Sequence, residues 1–141
     1  MPNYVEITHR EDFSSAHRLF SPDLDEEQNK ALYGPCYVLH GHNYGLEITV
    51  RGPLDPDTGM VMDLNILMQA MKRELIDVVD HVYLNEDVDF LQGIIPTSEN
   101  LAVAFWERMA PHVPDSIQLR RVAVIESRAN RAEYEGPEAE A

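Results

Sequence analysis

Three histidines have residue types and a spacing that suit a metal site. One glycine separates His40 from His42, and His17 lies in an upstream segment of the chain. If His40 and His42 belong to a strand, their side chains point to the same face, because alternate residues of a strand share a face. His17 on a separate strand would complete a set of three neutral imidazoles, which suits zinc and leaves a fourth position open for water or substrate. Each histidine taken alone has a more ordinary interpretation, since an isolated imidazole is usually just hydrogen-bonded.

The composition predicts one soluble domain. The chain has 141 residues, enough to bury a core without disulfide support, and its single cysteine cannot form an internal disulfide. Its 25 acidic and 11 basic residues give a formal charge of -14, which argues against non-specific binding to nucleic acid or to an anionic membrane. Because no apolar run reaches the length of a membrane span and the first residues lack a signal-peptide pattern, we expect a cytoplasmic protein.

Four segments have the pattern of strands that could position the histidines. Residues 4–16 alternate between the two faces, and this first strand is expected to end near His17. Alternation from His42 to Val50 predicts a second strand. Residues 119–125 and 131–135 predict a third and a fourth strand.

Two amphipathic helices are predicted between the second and third strands. Apolar residues at helical spacing from Leu64 to Val79 predict a helix of about four turns, with Asp63 as its cap. Thr97 is well placed to cap the other helix, which Pro111 ends. Residues 25–30 predict a short, exposed helix with acidic residues near its start.

The predicted fold class is α+β, with a four-stranded antiparallel sheet and two helices on one face. Residues 1–136 are expected to form a single domain, and the acidic tail, residues 137–141, is expected to be disordered. Such a sheet has two free edges and one uncovered face, which a soluble protein must pair or cover. We therefore expect a homo-oligomer in which the sheet edges join into a closed barrel.

Six motifs, in this order along the chain, resemble the 6-pyruvoyltetrahydropterin synthase and 6-carboxytetrahydropterin synthase family. The motifs are FSSAHR (13–18), CYVLHGHNY (36–44), TGMVMD (58–63), DH (80–81), PTSEN (96–100) and IES (125–127). The resemblance runs from about Tyr4 to Gly136. It implies the tunnelling fold, in which trimeric barrels stack as hexamers with active sites between subunits, and it implies 7,8-dihydroneopterin triphosphate as the substrate.

The resemblance also assigns a zinc ion to His17, His40 and His42. Zinc can act as a Lewis acid on the hydroxyls of the substrate's side chain and acidify the neighbouring carbon-bound hydrogen. Cys36 resembles the general base of the family, and nearby zinc would favour its thiolate. A free cysteine is more often a small buried residue, and the sulfur could instead be a fourth zinc ligand that makes the site closed and structural. The spacing leaves these possibilities open.

Asp80 and His81 match the remaining catalytic pair of the family, in which the imidazole moves protons and the carboxylate orients it. Without the other motifs, the pair would be interpreted as a helix end where a cation complements the dipole. Glu126 matches the carboxylate that anchors the pterin, because a carboxylate can accept two parallel hydrogen bonds from the ring. An exposed glutamate at a strand end is the ordinary interpretation in so acidic a protein.

The position after His81, which is often basic in relatives, is Val82 in this chain. A contact to the triphosphate is therefore expected to be missing. Three arginines could replace it, although each is equally plausible as a solvated surface charge: Arg18, Arg128 and Arg131.

The motifs point to two branches of the family. Three residues separate Cys36 from His40, as in the carboxy-forming branch, whereas residues 26–34 resemble the pyruvoyl-forming branch. Because the short loop is expected beside the reacting carbon, we expect a zinc-dependent carbon-oxygen and carbon-carbon lyase. It would convert the substrate to 6-carboxy-5,6,7,8-tetrahydropterin with release of triphosphate and acetaldehyde, in queuosine (7-deazapurine) biosynthesis. The alternative is a 6-pyruvoyltetrahydropterin synthase.

Two further hypotheses come from other classes of function. A non-catalytic oligomer could use zinc to join its subunits, and it predicts tightly bound zinc with Cys36 coordinated and unreactive. A different pterin enzyme of the same fold, such as an aldolase or a cyclohydrolase, fits less well, because those families do not carry this order of histidine, cysteine and His-x-His.

Overall fold

The computed structural model of the protein describes residues 2–138, so residues 139–141 of the expected tail lie outside the described residues. One antiparallel sheet has the order β1-β2-β3-β4. Its strands are β1 (Tyr4–His17), β2 (His40–Pro53), β3 (Gln118–Ile125) and β4 (Arg131–Tyr134). The α+β fold class predicted from the sequence is confirmed. The second strand begins at His40, earlier than predicted, because its pairing with β1 continues to the pair His17 and His40.

In the described residues 2–138, four α-helices lie between the strands: α1 (Glu26–Tyr33), α2 (Leu64–Met71), α3 (Asp77–Val79) and α4 (Ser98–Met109). A π-helical turn (Lys72–Ile76) joins α2 to α3, so the segment is continuous where one long helix was predicted. Both predicted caps are present, since the side chain of Asp63 accepts a hydrogen bond from the backbone of Asn65 and that of Thr97 accepts one from Asn100. These caps satisfy backbone donors that would otherwise be unpaired.

The hydrophobic core lies between the helices and one face of the sheet. Apolar side chains alternate along β2 and meet apolar residues of α2, the π-helical turn and α4; they include Leu46, Ile48, Val50, Leu67, Met71, Leu75, Leu101 and Phe105. Phe13 and Tyr44 stack across β1 and β2 with ring centroids 4.7 Å apart. Beyond this pair the same face of the sheet carries His17 and His42, so the candidate site lies at one end of the hydrophobic core.

The opposite face of the sheet carries charged residues. Arg131 lies 3.1 Å from Glu47 and 2.9 Å from Glu133, and Arg10 also reaches Glu47 at 3.4 Å. Exposed ion pairs of this kind contribute little stability. β1 and β4 are the edge strands, and closure of these edges in an oligomer stays a prediction. Within residues 2–138, no helix combines the length and the apolar character that crossing a bilayer requires.

Candidate metal centre and catalytic residues

The strand register brings the three predicted histidines together. His17 pairs with His40, and Ser15 pairs with His42, so the three imidazoles project from the same face of β1 and β2. The ring centroid of His17 lies 4.6 Å from that of His40 and 5.1 Å from that of His42. His40 and His42 are 4.9 Å apart by the same measure.

Hydrogen bonds to the backbone fix which nitrogen of two rings is free to bind a cation. His17 Nδ1 lies 2.8 Å from the carbonyl oxygen of Pro96, and His40 Nδ1 lies 2.6 Å from that of Val38. A carbonyl only accepts, so each Nδ1 carries the proton and each neutral ring keeps a lone pair on Nε2. The two Nε2 atoms lie 3.0 Å apart. Two facing lone pairs at this distance repel each other unless they share a cation, which is what metal ligands with an oriented Nδ1–H do.

Glu126 brings a carboxylate to the same cluster. It directly follows β3, and its Oε1 lies 3.0 Å from His42 Nε2. This contact lacks hydrogen-bond geometry, and among residues 2–138 the buried Nε2 has no hydrogen-bond partner. Ser98, the first residue of α4, donates a hydrogen bond from its hydroxyl to Glu126 Oε2 at 2.5 Å.

The donor atoms of His17, His40, His42 and Glu126 all lie within 4.8 Å of one another. In a tetrahedral zinc site with bonds of about 2.0–2.1 Å, neighbouring ligand atoms lie about 3.4 Å apart. The observed cluster therefore has a donor set and a size that fit a zinc ion. The sequence did not indicate that Glu126 lies against His42 or that Ser98 holds its carboxylate; the cap at Thr97 predicted a helix start beside Ser98 but not the hydrogen bond that Ser98 makes.

Burial favours the neutral form of His17 and His42. It is the main reason that the pKa values of His17 and His42 are lowered, and it outweighs the nearby carboxylate of Glu126, which acts in the opposite direction. The neighbouring imidazole of His40 lowers both pKa values further. Neutral imidazole is the form that binds a metal ion.

Asp80 and His81 form a pair that is fastened to β1. Asp80 Oδ1 accepts the backbone N–H of Ser14 at 2.9 Å, and the N–H of His81 donates to the carbonyl of Ser14 at 2.6 Å. The φ angle of His81 is 62°, a strained value for a residue other than glycine. His81 Nδ1 lies 2.9 Å from Asp80 Oδ1, and its side chain is 81% exposed. The imidazole is therefore oriented by its neighbour and open to solvent.

The Asp80 carboxylate is ionised over the neutral range. The hydrogen bond from the Ser14 amide is the main cause that lowers its pKa; burial acts in the opposite direction, and His81 lowers the pKa further. The pair does not belong to the cluster around His17. His81 and His42 nevertheless line the same open cleft, which has a volume of about 550 Å³.

Cys36 lies apart from the four clustered donor atoms. It belongs to a 3₁₀ turn (Gly34–Tyr37), is partly exposed, and accepts a hydrogen bond from the backbone of Leu19 at 2.8 Å through its carbonyl. This bond ties its loop to the chain just after His17. Because the fourth donor beside the histidines is a carboxylate, the arrangement gives no support to a zinc site closed by sulfur.

Of the three candidate arginines, Arg18 is the best positioned. Its Nε donates to the carbonyl of Tyr37 at 3.0 Å, and its guanidinium carbon lies 4.2 Å from the centre of the Tyr37 ring. Asn85 holds the backbone of Arg18 through two hydrogen bonds of 3.0 and 2.8 Å. Within residues 2–138 no carboxylate pairs with Arg18, whereas the charge of Arg131 is compensated by two glutamates. Arg128 is exposed and has no ion pair in the same part of the chain.

The chain is similar to known proteins in both sequence and structure. The sequence pattern of a family described as 6-pyruvoyl tetrahydropterin synthase matches residues 6–137. A 6-pyruvoyl tetrahydrobiopterin synthase from Dictyostelium discoideum is 40% identical over 136 residues, which are 96% of this chain and 99% of that protein. The structure of Caenorhabditis elegans 6-pyruvoyl tetrahydropterin synthase matches with a TM-score of 0.90 at 36% identity, over 96% of this chain and 98% of that one. A dihydroneopterin monophosphate aldolase from Pyrococcus furiosus is 28% identical over 131 residues, which are 93% of this chain and 97% of that protein.

These relatives show that the expectation of a carboxy-forming enzyme in queuosine biosynthesis is wrong. The Dictyostelium discoideum and Caenorhabditis elegans proteins, which are 40% and 36% identical to this chain, both carry the pyruvoyl name, and each is matched along nearly its full length. The wrong expectation rested on the short interval between Cys36 and His40, which sets the length of one loop but not the product. Residues 26–34, which form α1 and the start of the following turn, were the better indication.

Proposed function

This chain belongs to the 6-pyruvoyl tetrahydropterin synthase family, and on that premise we propose that it is a zinc-dependent 6-pyruvoyltetrahydropterin synthase. It would convert 7,8-dihydroneopterin triphosphate to the pyruvoyl product with release of triphosphate. The observation that supports this proposal most strongly is the pair of facing Nε2 atoms of His17 and His40, 3.0 Å apart, with both Nδ1 atoms engaged by carbonyls.

His17, His40 and His42 would hold the metal ion. When bound, zinc supplies Lewis acidity that weakens the carbon-hydrogen bond next to the substrate's hydroxyls. Three neutral ligands leave the charge of the ion undiminished for this task. The fixed Nδ1 contacts of His17 and His40 keep both rings in the binding tautomer, so no reorientation is needed.

Glu126 would anchor the pterin ring. A carboxylate accepts two parallel hydrogen bonds from the ring's amino group and the adjacent ring nitrogen. Ser98 holds the carboxylate from the side of α4, which fixes the direction in which it presents its oxygens. A fixed acceptor places the substrate's side chain at a defined distance from the histidines.

Cys36 and the pair of Asp80 and His81 would move the protons. Cys36 as thiolate would take the proton from the side-chain carbon, and His81, oriented by Asp80, would return a proton during tautomerisation. Cys36 and Asp80 both lie outside the histidine cluster of one chain. We therefore propose that the working enzyme is a trimer or a hexamer, in which a neighbouring subunit completes each site across the free edges of the sheet.

Arg18 would bind the triphosphate. Tyr37 holds its guanidinium and Asn85 holds its backbone, yet no carboxylate in residues 2–138 forms an ion pair with it. In a chain with a formal charge of -14, an uncompensated and positioned arginine is the kind of group that an anionic substrate needs.

Incubation of the zinc-loaded protein with dihydroneopterin triphosphate, followed by mass analysis, tests the proposed function. The pyruvoyl product together with free triphosphate is the expected result. A released aldehyde would instead indicate cleavage of the side chain, as in a carboxy-forming enzyme or an aldolase. Bound zinc without any turnover would favour the non-catalytic, zinc-bridged oligomer.

A further inference from the structure

We propose that Asn29 is a positioning residue for Cys36, because its buried amide holds the arm of the chain that carries the cysteine. The arm consists of residues 18–39, which leave the sheet at the end of β1 and return to it at the start of β2. This inference rests on the proposed role of Cys36 as the base. It goes beyond that role by assigning a function to a residue that does not touch the substrate.

Asn29 is the buried residue of α1. It is 4% exposed, whereas Leu32 on the same helix is 63% exposed. A helix on the surface of a globular protein usually buries an apolar stripe, and a buried polar side chain needs hydrogen-bond partners. The contact that fixes α1 is therefore mainly polar, and its strength depends on the hydrogen bonds of one amide.

Both ends of the Asn29 amide bind the turn that precedes α1. Oδ1 accepts the backbone N–H of Ser21 at 2.7 Å. Nδ2 donates toward the carbonyl oxygens of Ser21, Asp25 and Leu24, which lie 3.0, 3.1 and 3.2 Å away. The amide thus joins the helix to residues 21–25 and gives the Ser21 N–H its acceptor.

The other end of α1 leads directly to Cys36. The helix ends at Gly34, which has a φ angle of 55°, and the 3₁₀ turn Gly34–Tyr37 follows at once. The carbonyl of Cys36 then accepts the N–H of Leu19 at 2.8 Å. This bond closes the arm where it leaves the sheet, and the amide of Asn29 closes it in the middle. The two closures together fix the direction in which the arm presents the cysteine.

Loss of the Asn29 amide should move the cysteine and leave the histidines in place. His17 and His40 are paired across β1 and β2, so the sheet holds them independently of α1. A reacting group that is displaced by about 1 Å can lose about 100-fold in rate. Asn29 therefore affects turnover through Cys36 and not through the metal site.

A double-mutant cycle tests this inference. Asn29→Ala is expected to lower kcat by about 10- to 100-fold, with KM within about 2-fold of its normal value and zinc at about one ion per chain. In the Cys36→Ala background the same substitution should cause no further loss of the residual rate, because its effect passes through the sulfur. A residue with a merely structural role would lower the rate equally in both backgrounds.

Two further variants make the comparison specific. Lys30→Ala is the matched control, because it changes the next residue of α1, an exposed ammonium that lies 3.0 Å from Glu26, and it should leave kcat unchanged. Asn29→Asp keeps an acceptor for the Ser21 N–H but directs a second oxygen at the carbonyls, so it should behave like Asn29→Ala. Hydrogen exchange in residues 18–25, followed by mass spectrometry, should be faster in both Asn29 variants and unchanged in Lys30→Ala.

Normal kcat in Asn29→Ala, together with an inactive Cys36→Ala, would overturn the inference and leave the proposed base in place. Equal losses in both backgrounds, or loss of zinc together with turnover, would show a general structural effect and would also overturn it. Full turnover in Cys36→Ala would overturn the proposed role of the cysteine itself. The failure of the inference and the failure of the proposed function are therefore distinguishable.

Discussion

His17 Nε2 and His40 Nε2 face each other at 3.0 Å, and the other nitrogen of each ring donates to a backbone carbonyl. The tautomers are thereby fixed with both lone pairs directed at one point. Burial lowers the pKa of His17, so this imidazole stays neutral and has no second proton to place there. A divalent cation bound by both nitrogens removes the repulsion between their lone pairs, and the proposed chemistry depends on this cation.

Removal of one histidine should remove the metal. His42→Ala leaves two imidazoles and a carboxylate, so we expect zinc content to fall from about one ion per chain to nearly none, with loss of turnover. Plasma mass spectrometry of the purified variant measures this. His112→Ala, which removes an imidazole that lies 3.3 Å from Glu74, is the control and should keep its zinc. Full zinc in His42→Ala would show that this residue is not a ligand.

Cys36→Ala should separate metal binding from catalysis. Because the sulfur is not among the clustered donors, zinc content should be unchanged. Loss of a general base typically lowers the rate by about 100- to 10,000-fold, which kcat with the triphosphate substrate measures. Equal loss of metal in Cys36→Ala and His42→Ala would place the sulfur among the ligands.

Arg18→Gln should weaken binding of the triphosphate. Loss of a hydrogen bond to a charged group costs about 1.5–3 kcal/mol, so KM should rise by about 10- to 100-fold. Arg131→Gln is the matched control, because Glu47 and Glu133 already compensate that charge. If both variants raise KM equally, the effect comes from net charge and not from a contact of Arg18.

Asp80 should stay ionised throughout the working pH range. Its pKa in the folded chain lies below the ordinary value of 3.8, chiefly because the Ser14 amide donates to it. A depressed carboxyl pKa gives stability that is complete above about pH 5 and is lost as the pH falls through the folded pKa. The difference in unfolding free energy between the unmodified chain and Asp80→Asn should therefore shrink as the pH falls below about 5. Urea unfolding at a series of pH values measures it, and a difference that stays the same down to about pH 2 would contradict the assignment.

Local patterns in the sequence predicted most of the fold. Alternation predicted the strands, and Asp63 and Thr97 were recognised as caps, because these signals depend on neighbours within a few residues. The π-helical turn (Lys72–Ile76) was not predicted, since the apolar spacing from Leu64 to Val79 fits an uninterrupted helix equally well. The spacing of apolar residues does not distinguish an uninterrupted α-helix from one that contains a π-helical turn.

The candidate site was predicted in part. His40 and His42 followed from strand periodicity alone, whereas the place of His17 depended on the register of two strands, which the sequence does not state. The contact of Glu126 with Ser98 joins β3 to α4 across 28 positions, and no local pattern encodes it. The product was mistaken because the loop between Cys36 and His40 was given more weight than similarity along the whole chain.

Anomalous diffraction at the zinc edge, from crystals of the zinc-loaded protein, tests the central claim most directly. We predict one strong peak per chain within bonding distance of Nε2 of His17, His40 and His42. No peak at this place, or a peak bonded to the sulfur of Cys36, would contradict it.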